Sequence, residues 1–150
     1  MLYLKSAVLP NEVTEYDYVV HEKRSFIHTA YPFKIFPRKG LSKLVFDDIT
    51  MFYGGNGSGK STLINVLAQK MKAARYSPSV ELQIQLADFI AATIQATRSQ
   101  FIIATHSPIL LSMKNARIYN LDDYPVSVCK WTELPNVRRL RDFFVDRWEE

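Results

Sequence analysis

The chain has 150 residues, the length of one ordinary domain. With 47% hydrophobic and 23% charged residues, it can build a core and is not a disordered polymer. A single cysteine excludes an internal disulfide framework and a cysteine-rich metal site. The net charge of +4 suits an anionic ligand such as a nucleotide, without requiring nucleic acid.

The first residues do not have the pattern of a secretory signal. They lack a continuous apolar segment, and acidic residues follow quickly. No apolar run approaches the roughly 20 residues that cross a bilayer. We therefore expect a cytoplasmic protein with no membrane span.

Residues 1–53 are predicted to contribute strands. The pattern favours an edge strand at 1–9 and a second strand at 16–21. Two prolines and a glycine in 28–40 indicate a loop or an irregular edge. Two further β-rich runs, 44–46 and 49–53, flank the dipeptide Asp47-Asp48, and the second run leads into glycines.

The middle of the chain alternates between helical and strand patterns. Apolar residues at helical spacing predict one helix at 59–72 and another at 78–97, with Ser77 as its N-cap and Pro78 at its first position. The near-continuous apolar run within 100–106 is typical of a strand buried on both faces. A short helix is expected at 108–114.

Residues 116–150 are predicted to form a hairpin and a helix. The strands at 116–121 and 126–131 surround the turn "DDYP", which places Asp122 and Asp123 at the hairpin tip. The final helix is amphipathic, and its arginines interleave with acids as on a solvated, salt-bridged face. Its predicted apolar stripe consists of Val137, Leu140, Phe144 and Trp148.

This order of elements predicts a single α/β domain over 1–150. A strand, a glycine-rich loop, two helices and a further strand favour a mostly parallel sheet with helices on its faces. The last two strands add an antiparallel hairpin at one edge.

The stretch after residue 53 matches the phosphate-binding pattern G-x-x-x-x-G-K-[ST] without departure. Glycines allow positive φ angles, so that backbone N–H groups can surround an anion, and the following helix adds its positive dipole end. Lys60 can reach the β- and γ-phosphates, and the Ser61 hydroxyl can ligate Mg²⁺. The nucleotide-binding residues predicted from this motif are Gly54, Gly55, Asn56, Gly57, Ser58, Gly59, Lys60, Ser61 and Thr62.

His106 directly follows the predicted buried strand at 100–105. Ligands of open α/β sheets bind at the carboxyl ends of the strands, so His106 would lie on the same rim as Lys60. A neutral imidazole there could hydrogen-bond a γ-phosphate or an attacking water. A purely structural hydrogen bond is the alternative.

Together, "YPF" (31–33), "ITMFYGGNGSGKSTLINVLA" (49–68) and "SQFIIATHSPILLSMKNARIYNLDD" (99–123) resemble the ABC-type AAA ATPases, soluble relatives of the ATP-binding cassette proteins. The resemblance implies a P-loop NTPase fold that binds ATP and Mg²⁺. It makes residues 54–62 the Walker A motif, Ser61 a Mg²⁺ ligand and His106 the switch histidine that senses the γ-phosphate. His106 is thereby the candidate catalytic residue.

The chain departs from this family between its Walker A helix and Ser77-Pro78, which resemble the remnant of a D-loop. The family carries a Q-loop, a helical subdomain, a signature sequence and a Walker B Asp-Glu pair in this interval. Here only five residues separate Met71 from Ser77, so the resemblance implies a shortened domain. Without the Walker B glutamate, the attacking water has no evident base. We expect ATP to bind, with weak or absent hydrolysis by these 150 residues.

Three functions are consistent with these motifs. The first is an ATP-binding domain of an ABC-type AAA ATPase, and the second is a non-hydrolysing nucleotide-binding or regulatory module. A small-molecule kinase is a third, but the arginine cluster on the last helix is far along the chain from the loop. A homodimer or another protein partner remains open, and DNA association rests only on analogy and a weak basic charge.

Overall fold

A four-stranded sheet organises the part of the chain that the computed structural model describes, which is residues 3–21, 34–70 and 80–148. The first half contains β1 (Ser6–Val8), α1 (Glu12–His21), α2 (Ile35–Arg38), β2 (Lys43–Val45), β3 (Ile49–Tyr53) and α3 (Lys60–Lys70). The second half contains α4 (Val80–Thr97), β4 (Phe101–Ala104), α5 (Pro108–Leu111), β5 (Ala116–Asn120), β6 (Ser127–Cys129) and α6 (Pro135–Val145).

The strand order in this sheet is β4-β3-β5-β6. β3 is parallel to both β4 and β5, with Phe52 opposite Ala104 and Tyr53 opposite Asn120. β6 pairs with β5 in the antiparallel direction. The prediction of an α/β fold with a mostly parallel sheet and an antiparallel edge hairpin is therefore confirmed. The carboxyl ends of β3, β4 and β5 lie at one edge, which we call the upper edge.

Apolar side chains cover both faces of the sheet. On one face, Phe52 is fully buried and packs with Leu63 and Leu67 of α3. On the other, Met51 is fully buried in a cluster with Ile90 of α4 and Leu111 of α5. Every residue of β3 is buried, as expected for a central strand with helices on both sides.

The β-rich runs before and after Asp47-Asp48 belong to different sheets. β2 pairs with β1 in a separate two-stranded antiparallel sheet. The side chain of Gln100 joins the two sheets. Its amide oxygen accepts from the Leu4 amide at 2.9 Å, and its amide nitrogen donates to the Leu4 carbonyl at 2.8 Å and to the Asp47 carbonyl at 3.0 Å. This amide fixes the N-terminal strand against the start of β4.

The strand predicted at 16–21 is wrong, since these residues belong to α1. Asn11 explains the helix: its side-chain oxygen accepts hydrogen bonds from the backbone and hydroxyl of Thr14, at 2.8 and 2.9 Å, as an N-cap does. Two acids, Glu12 and Glu15, occupy the first turn, where the helix dipole favours them. The cap and the acids outweigh the β propensity of the later residues.

The loop predicted at 28–40 is wrong over 35–38, which form the short helix α2. Phe36 of this helix is buried in the core beside Leu44 and Phe46. Phe36 is therefore a core residue. Tyr31 and Phe33, which fall in the same predicted loop, lie outside the described residues.

The helices predicted at 59–72 and 78–97 are present over the residues that the structure describes, as α3 (Lys60–Lys70) and α4 (Val80–Thr97). The predicted cap residues Ser77 and Pro78 lie outside the described residues. The helix expected at 108–114 is only Pro108–Leu111, with the Ser107 hydroxyl accepting from the Leu110 amide at 3.2 Å. No helix in the described ranges is both long and apolar enough to cross a membrane.

The apolar stripe predicted on the last helix is mostly exposed. Val137 is buried in the second cluster, but Leu140 and Phe144 are 40% and 48% exposed. Trp148 lies beyond the end of α6 and is 82% exposed. α6 thus packs on the sheet only through its first turn. The expected solvated face is present, since Arg141 and Asp142 form an exposed ion pair at 2.7 Å.

Cys129 in β6 is expected to react slowly with thiol reagents. Burial, with smaller contributions from Asp123 and Glu133, raises its pKa from 9.0 to about 11. The thiolate is the nucleophile, so its fraction at pH 8 should fall about 100-fold. Because the chain has one cysteine, the rate of reaction with an aromatic disulfide reports this site alone. Equal rates for folded and urea-unfolded protein would contradict the prediction.

Candidate functional site

The loop at 54–59 joins the central strand β3 to α3 at the upper edge of the sheet. Gly54, Gly57 and Gly59 have φ angles of 154°, 81° and 93°, which residues with side chains rarely adopt. Within the loop, the Ser58 amide donates to the Gly55 carbonyl at 3.2 Å. We call residues 54–59 the glycine loop.

Gly54 is the position where the loop has no room for a side chain. It is buried, and a Cβ there would lie 2.6 Å from Oγ of Ser58 and 3.1 Å from a carboxylate oxygen of Asp122. Around Gly57, in contrast, a Cβ would meet nothing within 4 Å. Gly54 is therefore required by packing and by its φ angle, and Gly57 by its φ angle alone.

Lys60 begins α3 and lies across the glycine loop. Its Nζ donates hydrogen bonds to the carbonyls of Gly54 and Gly55, the latter at 2.8 Å, and lies 3.4 Å from Oγ of Ser58. Burial lowers the pKa of Lys60; Asp122 opposes this shift and Lys39 adds to it. The ammonium group is thus held at the loop itself.

The first turn of α3 is favourable for an anion. It contains no acidic residue, and the Leu63 amide closes the first helical hydrogen bond to Gly59 at 2.8 Å. A helix of 11 residues presents its positive dipole end at this point. Ser61 is exposed at the rim, whereas Thr62 and Ser58 are buried.

His106 follows β4 and lies on the same edge as Lys60. The rings of His106 and Tyr53 meet edge to face, with their centroids 5.9 Å apart. The backbone carbonyl of His106 accepts a hydrogen bond from the side-chain amide of Asn136 at 2.8 Å. Burial and the charge of Lys60 lower the pKa of His106, and Asp122 raises it. Lys60 and Asp122 both bond to Gly55, and His106 follows the strand that pairs with β3, so the three residues lie at the same edge.

Asp122 is a residue of this site that the sequence did not indicate. Both of its carboxylate oxygens accept from the Gly55 amide, at 2.9 and 2.7 Å. It does lie in the turn of the β5–β6 hairpin, as predicted. However, β5 is the parallel neighbour of β3, so the turn after β5 reaches the loop after β3. The sequence around Asp122 gives no sign of this neighbour, because the contact follows from the pairing of β5 with β3.

Lys39 brings a second ammonium group near the glycine loop. Its Nζ donates to the Leu121 carbonyl, directly before Asp122, at 2.5 Å. Its charge lowers the pKa of Lys60, as expected for a second cation near this loop. The upper edge therefore carries Lys39, Lys60 and Asp122 around backbone amides.

Other polar side chains form pairs of their own. Asp47 pairs with Arg117 at 2.7 Å at the opposite edge of the sheet, as expected from its place before β3. The Ser107 hydroxyl donates to the Gln83 side chain. An open cleft of ≈ 910 Å³ lies at the edge of the sheet that carries Asp47, and its lining includes Asp48, Asp88 and Lys114. In the described ranges, no group of three or more His, Cys, Asp or Glu side chains could hold a metal ion.

The titration of His106 should report its neighbours. Its pKa is expected to lie below 6.5, to rise in Lys60→Ala and to fall in Asp122→Asn. Because the folded-state pKa lies below that of the unfolded chain, protonation opposes folding. The stability it contributes is complete above about pH 6.5 and is lost as the pH falls through the folded-state pKa.

Proton NMR of the imidazole, assigned with His106→Gln, measures these shifts. Opposite signs in the two variants are the expected result. Shifts of the same sign would contradict the opposite charge effects of Lys60 and Asp122 on His106.

Comparison with known proteins adds no further assignment. No protein-family model matches the chain, and no curated protein or solved structure matches it. The resemblance to the ABC-type AAA ATPases therefore stays a prediction from its two motifs.

Proposed function

We propose that the chain is the ATP-binding domain of an ABC-type AAA ATPase and holds ATP–Mg²⁺ at residues 54–62. One observation carries the proposal. The glycine loop follows the central parallel strand and precedes a helix, and the ammonium group of Lys60 lies on it. Loops of this kind present amides, a dipole and a cation to a phosphate chain together.

Each residue has a distinct task in this proposal. Lys60 exchanges its bonds to the loop carbonyls for bonds to the β- and γ-phosphates. The glycines let the backbone approach the phosphates without obstruction by side chains. His106, at the end of the adjacent strand, is near enough to Lys60 for charge coupling and would meet the terminal phosphate.

The residues present fit a magnesium ion that is held mainly by the nucleotide. Mg²⁺ usually binds through one or two protein oxygens together with phosphates and waters. Ser61, exposed in the first turn of α3, can provide a hydroxyl, and the described residues contain no cluster of acids that would hold the ion alone. The ion would neutralise charge on the phosphates during transfer.

We expect ATP hydrolysis to be weak or absent. Asp122 is a carboxylate at the upper edge, and it contacts the Gly55 amide. The Walker B glutamate that would serve as the base in the family has no counterpart between Met71 and Ser77. This favours the non-hydrolysing nucleotide-binding module as the second candidate. ATP turnover above background that Lys60→Ala abolishes would contradict this expectation.

Calorimetric titration with Mg-ATP tests the proposed function. Wild-type protein should bind, and Lys60→Ala should bind about 10- to 100-fold more weakly, the loss expected for charge-assisted hydrogen bonds. Lys114→Ala is the matched control, because Lys114 is exposed and lies at the opposite edge. Urea unfolding of each variant checks that it is folded. Wild-type protein that gives no heat, or equal binding by Lys60→Ala, would overturn the proposal.

A further inference from the structure

We propose that Asp122 is a positioning residue of the nucleotide site: by holding the Gly55 amide, it fixes the glycine loop in the form that binds phosphate. This inference rests on the proposed function. Its basis is the pair of contacts from the carboxylate oxygens of Asp122 to the Gly55 amide, at 2.9 and 2.7 Å.

The turn that carries Asp122 is tied to two other parts of the chain through Leu121. The Leu121 amide donates to the Tyr53 carbonyl at 2.8 Å, and Lys39 donates to the Leu121 carbonyl. The backbone amide of Asp122 itself donates to the side-chain oxygen of Asn120, and Asn120 is only 8% exposed. Because these hydrogen bonds fix the backbone of the turn, the Asp122 carboxylate can hold the glycine loop in place.

The two neighbouring acids of the turn have different roles. Asp123 stabilises the hairpin itself, since its carboxylate accepts from the Asn120 side chain at 2.8 Å and from the Ser127 hydroxyl. Asp122 instead reaches across to another element, 67 residues earlier in the chain. It is exposed, so this contact is not needed to compensate burial of the carboxylate. What the contact does is restrain Gly55.

Restraint is useful at Gly55 because this exposed residue has no side chain that could pack and fix it. Glycine has more backbone conformations to lose than any other residue, and Gly54 and Gly55 stand side by side. A loop held in its binding conformation beforehand loses less entropy when the ligand arrives, which raises affinity.

Charge and positioning make opposite predictions for variants of Asp122. A carboxylate beside a triphosphate repels it, so that on charge alone every neutral substitution strengthens binding. Asparagine removes the charge but keeps a side-chain oxygen for the Gly55 amide, whereas alanine removes both. We therefore expect Asp122→Asn to bind Mg-ATP at least as tightly as wild type. Asp122→Ala should bind about 3- to 10-fold more weakly.

Calorimetry with Mg-ATP on the intact chain measures these affinities, and Asp88→Ala, an exposed acid at the opposite edge, is the control. Amide exchange in the nucleotide-free protein gives a second measurement. The Gly55 amide should be protected in wild type and in Asp122→Asn, and should lose protection in Asp122→Ala. Equal urea midpoints would show that the hairpin is intact.

The outcomes separate this inference from the proposed function. If wild-type protein binds no Mg-ATP, both are overturned. If wild type binds but Asp122→Ala binds equally or more tightly, only the role of Asp122 is overturned. Unchanged exchange of the Gly55 amide in Asp122→Ala overturns that role as well, because the contact would then not hold the loop in solution.

Discussion

Replacing Gly54 with alanine is expected to lower the free energy of unfolding by about 2–4 kcal/mol, whereas the same change at Gly57 should cost about 1 kcal/mol. Both positions have positive φ, so both variants strain the backbone. Only at Gly54 does the new Cβ also meet buried Ser58, at 2.6 Å. The added clash accounts for the difference between the two variants.

The pair is informative because the chemical change is the same. Alanine also stiffens the unfolded chain at both positions and returns some stability to each. Urea unfolding, followed by circular dichroism, gives the two free energies, and the slopes should match wild type. Similar costs at Gly54 and Gly57 would contradict the packing of the loop, and so would a larger cost at Gly57.

The two variants should also differ in nucleotide binding under the proposed function. A displaced Ser58 would move the backbone beside Gly55 and Lys60, so Gly54→Ala should lose Mg-ATP binding even where it is still folded. Gly57 has open space for a methyl group, so its variant should retain more of the affinity. Calorimetry below the unfolding midpoint of each variant tests this order.

Strong local patterns were enough to predict most of the sheet and its helices. The apolar run before His106 and the alternation of helix and strand after the glycine loop led to the parallel order, because such runs are buried on both faces. α1 was missed because its decisive feature is one side chain, Asn11, capping a segment whose later residues favour strands. Local propensity is weak where a cap decides.

The site was also predictable only in part, because some of its residues are close in sequence and others come together only through the fold. The glycine loop and Lys60 are contiguous in sequence, and their spacing is the signal. Asp122 joins them through strand pairing between β3 and β5, and nothing within the sequence near Asp122 reports that neighbour. Its hairpin position was visible, but the element that it faces was not. Similarly, the apolar residues of α6 predicted a buried stripe, whereas contact with the sheet ends after the first turn.

The sheet core that supports the glycine loop can be tested at Phe52. Phe52→Ala is expected to cost about 3–5 kcal/mol, the usual loss for a fully buried aromatic side chain. Its ring is 0% exposed and lies 5.8 Å from the ring of Tyr119 on the neighbouring strand. Phe89→Ala is the matched control, because Phe89 on α4 is 61% exposed and should change stability by no more than about 0.5 kcal/mol.

The comparison bears on the site because Phe52 lies two residues before Gly54. Its packing against Leu63 and Leu67 joins the strand that enters the loop to the helix that leaves it. Loss of this contact should weaken the packing between β3 and α3 on either side of the glycine loop. Phe52→Ala should therefore bind Mg-ATP more weakly at temperatures where the variant remains folded. Urea unfolding and calorimetry measure the two effects separately. Equal stability costs at Phe52 and Phe89 would mean that the packing between β3 and α3 is not what supports the loop.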